Sequence, residues 1–128
     1  MKIFDNEEGT WLDRVNFVDK NNVFVGFSTE QNCCEYADWV ILDKDNLTDV
    51  YVYQDVDKFV PEDIEDYIFD TSYFKHVEYA LDEGGIATFR LVNGEKELFL
   101  HLFNYQNGYY GHGFEAKINE EIWQHGTL

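Results

Sequence analysis

The dipeptide Asn93-Gly94 constrains this chain more than any other feature, because it separates two runs in which apolar and polar residues alternate. Ile86–Val92 leads into it and Glu95–Phe103 leads out. Asn-Gly between alternating runs is the strongest short-range hairpin signal, since both residues tolerate the positive φ angles of a type I′ turn. Such a turn also sets a register. It predicts Phe89 opposite Leu98 and Ala87 opposite Leu100 on one face, and the charge pair Arg90 opposite Glu97 on the other.

The same reading extends outward. Leu12–Val18 and Val23–Ser28 flank Asp19-Lys20-Asn21-Asn22 and are predicted to form a second hairpin, with Val15 and Phe17 alternating against Arg14 and Asn16. Further strands are expected at Trp39–Leu42, Val50–Gln54, Phe74–Leu81 and Gly113–Ile118, with a turn at Asp82-Glu83-Gly84-Gly85. One helix is expected at Pro61–Phe69. Pro61 suits a first helical position, Glu62 and Asp63 suit the positive end of the helix dipole, and Ile64, Tyr67 and Ile68 share a helical face. Gln31–Ile41 reads as a short helix or turn leading into a strand. A single proline, no Ser/Gly-rich linker and no internal repeat give one domain, 1–128. The expected fold class is α+β, mainly β: an antiparallel sheet of hairpins, as a sandwich or half-barrel, with one short acidic helix.

A hydrophobic share of 45% is enough for a packed core at this length, so the acidity of the chain does not signal disorder. That acidity is extreme, with 26 acidic against nine basic side chains and a net charge of −17. The basic residues are scattered, none closer than six positions to the next. Direct nucleic-acid binding draws on clustered Lys and Arg and is not expected, nor is binding to anionic membranes. A basic protein partner would instead be attracted. The N-terminal residues lack the apolar core of a signal peptide, and no apolar stretch approaches membrane-spanning length, so a cytoplasmic location is expected.

Catalytic patterns are weak. Cys33 and Cys34 are the only cysteines, and a bridge between neighbours would need a strained eight-membered ring. In a strand they would point to opposite faces, a poor geometry for chelating zinc. His76, His101, His112 and His125 show no metal-ligand spacing. Asp43-Lys44-Asp45-Asn46 begins like a calcium loop but has Thr48 and Gln54 where Gly and the closing Glu belong. Neither serine, Ser28 or Ser72, lies in a nucleophile elbow, and no glycine-rich phosphate loop is present. No catalytic residue, metal or cofactor is assigned.

The acidic segment from Asp55 to Asp70 carries seven carboxylates against Lys58 alone. A solvated, solubilising face is the ordinary explanation for such a run. A contact surface for a basic partner is the alternative, because repulsion at this charge opposes compaction.

Asn32-Cys33-Cys34-Glu35 followed by Trp39, together with Asn107-Gly108-Tyr109-Tyr110 after the strand Glu97–Phe103, resembles a family of small bacterial and phage proteins of unknown function. The likeness spans roughly residues 12–116, with Asn32 and Gln106 replacing the family's usual Asp and Ser. It implies a β-rich fold and a bacterial or mobile-element setting, and no activity.

The resulting expectation is a non-catalytic acidic module that masks a basic surface of a partner, as inhibitors, nucleic-acid mimics and immunity proteins do. Its contact residues would be Asp55, Asp57, Glu62, Asp63, Glu65, Asp66, Tyr109 and Tyr110. One alternative is a small metal- or thiol-dependent enzyme using Cys33, Cys34 and a histidine. Another is a structural or virion-associated protein. The oligomeric state is left open.

Overall fold

The computed structural model describes residues 1–5, 14–30, 37–47, 58–81, 84–104 and 111–128. Among them lie nine strands: β1 (Lys2–Asp5), β2 (Arg14–Val18), β3 (Val23–Ser28), β4 (Ala37–Leu42), β5 (Ile68–Leu81), β6 (Gly84–Asn93), β7 (Lys96–Asn104), β8 (Gly113–Ile118) and β9 (Glu121–Thr127). They form two antiparallel sheets, ordered β1-β2-β3-β8-β9 and β4-β7-β6-β5. The protein is mainly β, a sandwich of two open sheets, and it is not closed into a barrel.

Alternation explains which face each strand buries. Val15, Phe17, Val25, Phe27, Phe114 and Ala116 of the first sheet meet Trp39, Ile41, Phe69, Ala87, Phe89, Leu91, Leu100 and Leu102 of the second. Burial of this much aliphatic and aromatic surface is the main driving force for the fold. The opposite face of the second sheet carries a smaller cluster, with Val40, Ile86 and Phe103 packed against Leu47.

The central hairpin forms, but its register differs from expectation by two residues. Phe89 pairs with Leu100 and Ala87 with Leu102, and Asn93 pairs with Lys96. The loop is thus Gly94-Glu95, and Gly94 alone of that turn has positive φ, at 61°. A single positive φ at the first loop position is the pattern of a type II′ turn, for which Gly is the natural occupant. A shift of two keeps every side chain on its expected face. Arg90 therefore still reaches Glu97, at 2.8 Å, but diagonally, because Phe99 is its direct partner.

The acidic helix expected at Pro61–Phe69 is a single 3₁₀ turn, Ile64–Asp66. Its bonds run from Ile64 N to Pro61 O, Asp66 N to Asp63 O and Tyr67 N to Ile64 O, all three residues apart. Tyr67 is already extended, with φ −80° and ψ 144°. Tyr67 and Phe69 are buried while Ile68 between them is only half-buried, so a period of two replaces the helical one. β5 consequently starts at Ile68 rather than Phe74. Four residues, Asp70 to Tyr73, bulge opposite Arg90 before pairing resumes at Phe74. β1 and β9, which the sequence pattern did not predict, extend the first sheet at its two edges. The strand expected at Val50–Gln54 lies outside the described residues, as do residues 31–36.

Asp19 fixes the second hairpin. It is buried, and its Oδ1 accepts hydrogen bonds from the amides of Asn21 and Val23. Its Oδ2 accepts one from Phe69 N, at 2.9 Å, at the start of β5. One carboxylate thus closes a turn in the first sheet and holds the second sheet to it.

Candidate functional site

The edge strands β1 and β4 lie on the same side of the sandwich, joined by a hydrogen bond of 3.0 Å from Trp39 Nε1 to Asp5 Oδ2. Beneath this bond Trp39 packs edge-on against Phe17 of β2, with ring centroids 5.3 Å apart. Lys58 lies across the indole, its ammonium 5.1 Å from the ring centroid and 2.7 Å from Asp38 Oδ2. The combined cation–π and carboxylate contact holds the segment that begins at Lys58 against β4.

The Met1 ammonium closes the other end of this side. It donates to the carbonyls of Ile64, Glu65 and Tyr67 at 2.8, 3.0 and 2.7 Å. These carbonyls lie at the end of the 3₁₀ turn, where the dipole favours a cation; Ile64 O, which already accepts from Tyr67 N, takes the ammonium as a second donor. The side chain of Met1 is buried in the core.

Between these joints runs a solvent-facing groove of about 750 Å³, lined by residues 1–5 on one wall and by Trp39, Lys58, Val60, Ile64 and Glu65 elsewhere. Two large apolar side chains stand exposed along it, Phe4 at 56% and Val60 at 40%, and the adjoining Phe59 is 62% exposed. Exposed apolar groups gathered on one stretch of surface mark interaction sites more often than isolated ones do.

The acidic turn flanks the groove. Glu62, Glu65 and Asp66 are exposed and form no ion pair among the described residues. Asp63 differs. It accepts hydrogen bonds from Lys96 at 2.9 Å and Asn93 at 3.3 Å, and the Lys96 bond holds its carboxyl below the usual range. Asp70 is likewise committed, its carboxyl lowered by hydrogen bonds from Ser72 and then Arg90. Of the eight contact residues expected from sequence, the structure therefore brings Glu62, Glu65 and Asp66 to one solvent-facing turn and ties Asp63 to the neighbouring hairpin. Asp55, Asp57, Tyr109 and Tyr110 lie outside the described residues.

The histidines are on separate elements. His101, on β7, is fully buried, with Nε2 donating to Lys44 O at 2.9 Å and Nδ1 therefore accepting from the Thr88 hydroxyl at 2.8 Å. Burial pushes its pKa below the ordinary imidazole value. His112 Nδ1 donates to Ser28 O, His76 packs edge-on to Phe114, and His125 is exposed on β9. Among the described residues no group of three or more His, Cys, Asp or Glu could hold a metal ion. Cys33 and Cys34 lie outside the described residues.

The acidic turn falls within the segment that the sequence singles out, whereas Phe4, Trp39, Lys58 and Val60 are not singled out by it. The available signal was the run Lys58-Phe59-Val60 ahead of Pro61, two adjacent apolar residues within a charged stretch. Comparison with family models, curated proteins and solved structures finds no match.

Proposed function

We propose that this chain is an acidic, non-catalytic binding module that covers a basic surface of a partner protein, with the Glu62–Asp66 turn and the adjoining groove as its contact. The observation that carries this reading is the juxtaposition of exposed carboxylates at Glu62, Glu65 and Asp66, which form no ion pair among the described residues, with exposed Phe4, Phe59 and Val60. Charge gives encounter rate and selectivity, and apolar area gives residence time. Neither feature is needed by the fold, whose inter-sheet core is complete without these side chains. The net charge of −17 adds a long-range field that draws in a basic surface. The Asn32–Glu35 and Asn107–Tyr110 motifs support a bacterial or phage setting and, with it, a cytoplasmic one.

A labelled peptide of alternating lysine and valine tests the reading by fluorescence polarisation. Binding is expected at low salt, weakening steeply as salt is raised. Reversing the charge at Glu62, Glu65 and Asp66 together is expected to weaken it by about tenfold or more. Affinity indifferent both to salt and to charge reversal would overturn the proposal.

A further inference from the structure

We infer that the partner enters as an extended basic segment that adds a strand to the edge of β1 that no described strand pairs with. This inference rests on the acidic-module reading and specifies what that module binds.

Residues 1–5 line the groove without a gap. Successive side chains of a strand point to opposite faces, so a groove fronting one face would meet alternate residues only. Continuous lining, with the Lys58–Glu65 segment held near Asp5 at one end and near Met1 at the other, fits a groove running along the strand's edge, where backbone N–H and C=O groups are presented. Among the described residues β1 pairs with β2 alone, in unbroken register from Lys2–Val18 to Asp5–Val15. The edge strands on the far side are less suitable templates. β5 has register shifts between Phe69 and Phe74 and between Val77 and Leu81, and the β8–β9 ladder shifts between Ala116 and Lys117. Such irregularities twist an edge away from further pairing. β1 has an unbroken register and faces a groove whose other wall includes exposed Val60.

The chemistry of the occupant follows from the walls. Strand addition takes affinity from main-chain hydrogen bonds and specificity from sites for alternate side chains. Here the apolar sites are Phe4, Val60 and Ile64; Asp5 and Glu65 line the groove beside Lys2 and Lys58, with Lys58 already paired to Asp38, and the exposed carboxylates of Glu62 and Asp66 stand on the adjoining turn. The molecule already shows one lysine seated in this groove: Lys58, on the Trp39 face and against Asp38. A partner strand alternating lysine or arginine with aliphatic residues would match both sets. A second copy of this chain is a poor occupant, because two molecules each of charge −17 repel.

The experiment compares the lysine–valine peptide with a twin methylated on every backbone nitrogen, which keeps the charge and side chains but cannot pair. Strand addition predicts that the twin binds at least about tenfold more weakly, the cost of losing several hydrogen bonds. It also predicts that the unmodified peptide slows hydrogen exchange of the amides at residues 2–5 and not of those at 121–127. Phe4→Lys, at a side chain exposed enough to leave the fold intact, is expected to weaken binding without lowering Tm. Equal binding of both peptides would overturn strand addition while leaving the acidic module standing. Failure of the unmodified peptide to bind at low salt would overturn both. Exchange protection on β9 in place of β1 would overturn the assigned site.

Discussion

The two sides of the sandwich, where the edges of its sheets come together, are built from different materials. On the β5/β9 side the space is filled by rings. Phe114 contacts Phe74, Phe89 and His76 at centroid distances of 6.0, 6.4 and 5.5 Å, and Trp123 packs edge-on to Phe89 at 5.9 Å. Gly126 lets Phe114 lie directly over the β9 backbone, where a Cβ would come within 3.0 Å of the ring. On the β1/β4 side the described residues show one aromatic pair, Phe17 and Trp39, and the Trp39–Asp5 bond, while two further polar joints, the Met1 ammonium and Asp19, tie the first sheet to the turn before β5 and to the start of β5. Rings exclude water and close a seam, whereas polar joints fix an orientation at points and leave space between them. Exposed apolar side chains occur on both sides, with Val77 and Ile122 on β5 and β9, so the difference lies in how the sheets are joined rather than in what is left in water.

The comparison breaks most readily at Phe114. Phe114→Ala is expected to lower stability by about 3–5 kcal/mol, the range for large-to-small core changes, read from denaturant unfolding with unchanged slope. A loss comparable to that of an exposed aromatic would show that the closed side is not the packed one. Next comes Asp19→Ala, which strands three amides with limited access to water. A loss of about 3 kcal/mol is expected, and Asp19→Asn, which keeps the acceptor oxygen but not the charge, should recover part of it.

His101 lies on neither side and serves as a control on pH. Its pKa is lowered by burial, so the unfolded chain binds a proton that the folded one refuses. Stability from the neutral ring is complete above the ordinary imidazole pKa and is lost as pH falls below it. The stability difference between wild type and His101→Gln should therefore shrink between neutral and mildly acidic pH, measured by denaturation at both. A difference that grows on acidification would reverse the assigned direction. The smallest effect is expected at Phe4→Ser, within about 0.5 kcal/mol of wild type because the side chain is already in water. A larger loss would mean that the β1/β4 side is packed after all.

What the sequence made legible follows the range of the interactions. The β2–β3 and β6–β7 hairpins, the faces of their side chains and the turn positions all rest on neighbours in the chain, and they were read from alternation and turn residues. The register of β6 and β7 was two residues off because Asn93-Gly94 and Gly94-Glu95 are both acceptable two-residue loops, and the choice depends on how Leu91, Leu98 and Leu100 pack across the core. The segment 61–69 was misread for a similar reason. Ile64, Tyr67 and Ile68 satisfy a helical spacing locally, but Tyr67 and Phe69 gain more by alternating into the sandwich, and Asp19, fifty residues earlier, draws Phe69 N into a strand. The groove was beyond local reading altogether, since it needs residues 1–5, 39 and 58–65 in one place. Short β1, with only Ile3 partly buried, carries no alternation signal strong enough to announce itself.

Asp19 has a consequence for the order in which the molecule assembles. One of its oxygens is satisfied within a four-residue neighbourhood, and the other only by an amide fifty positions away. A nascent hairpin can form with the first set alone, but it then holds a half-used anion in contact with water. That anion loses its hydration only when the second sheet arrives with Phe69 to replace it. Contacts local in the chain and a contact fifty positions away thereby share a single side chain.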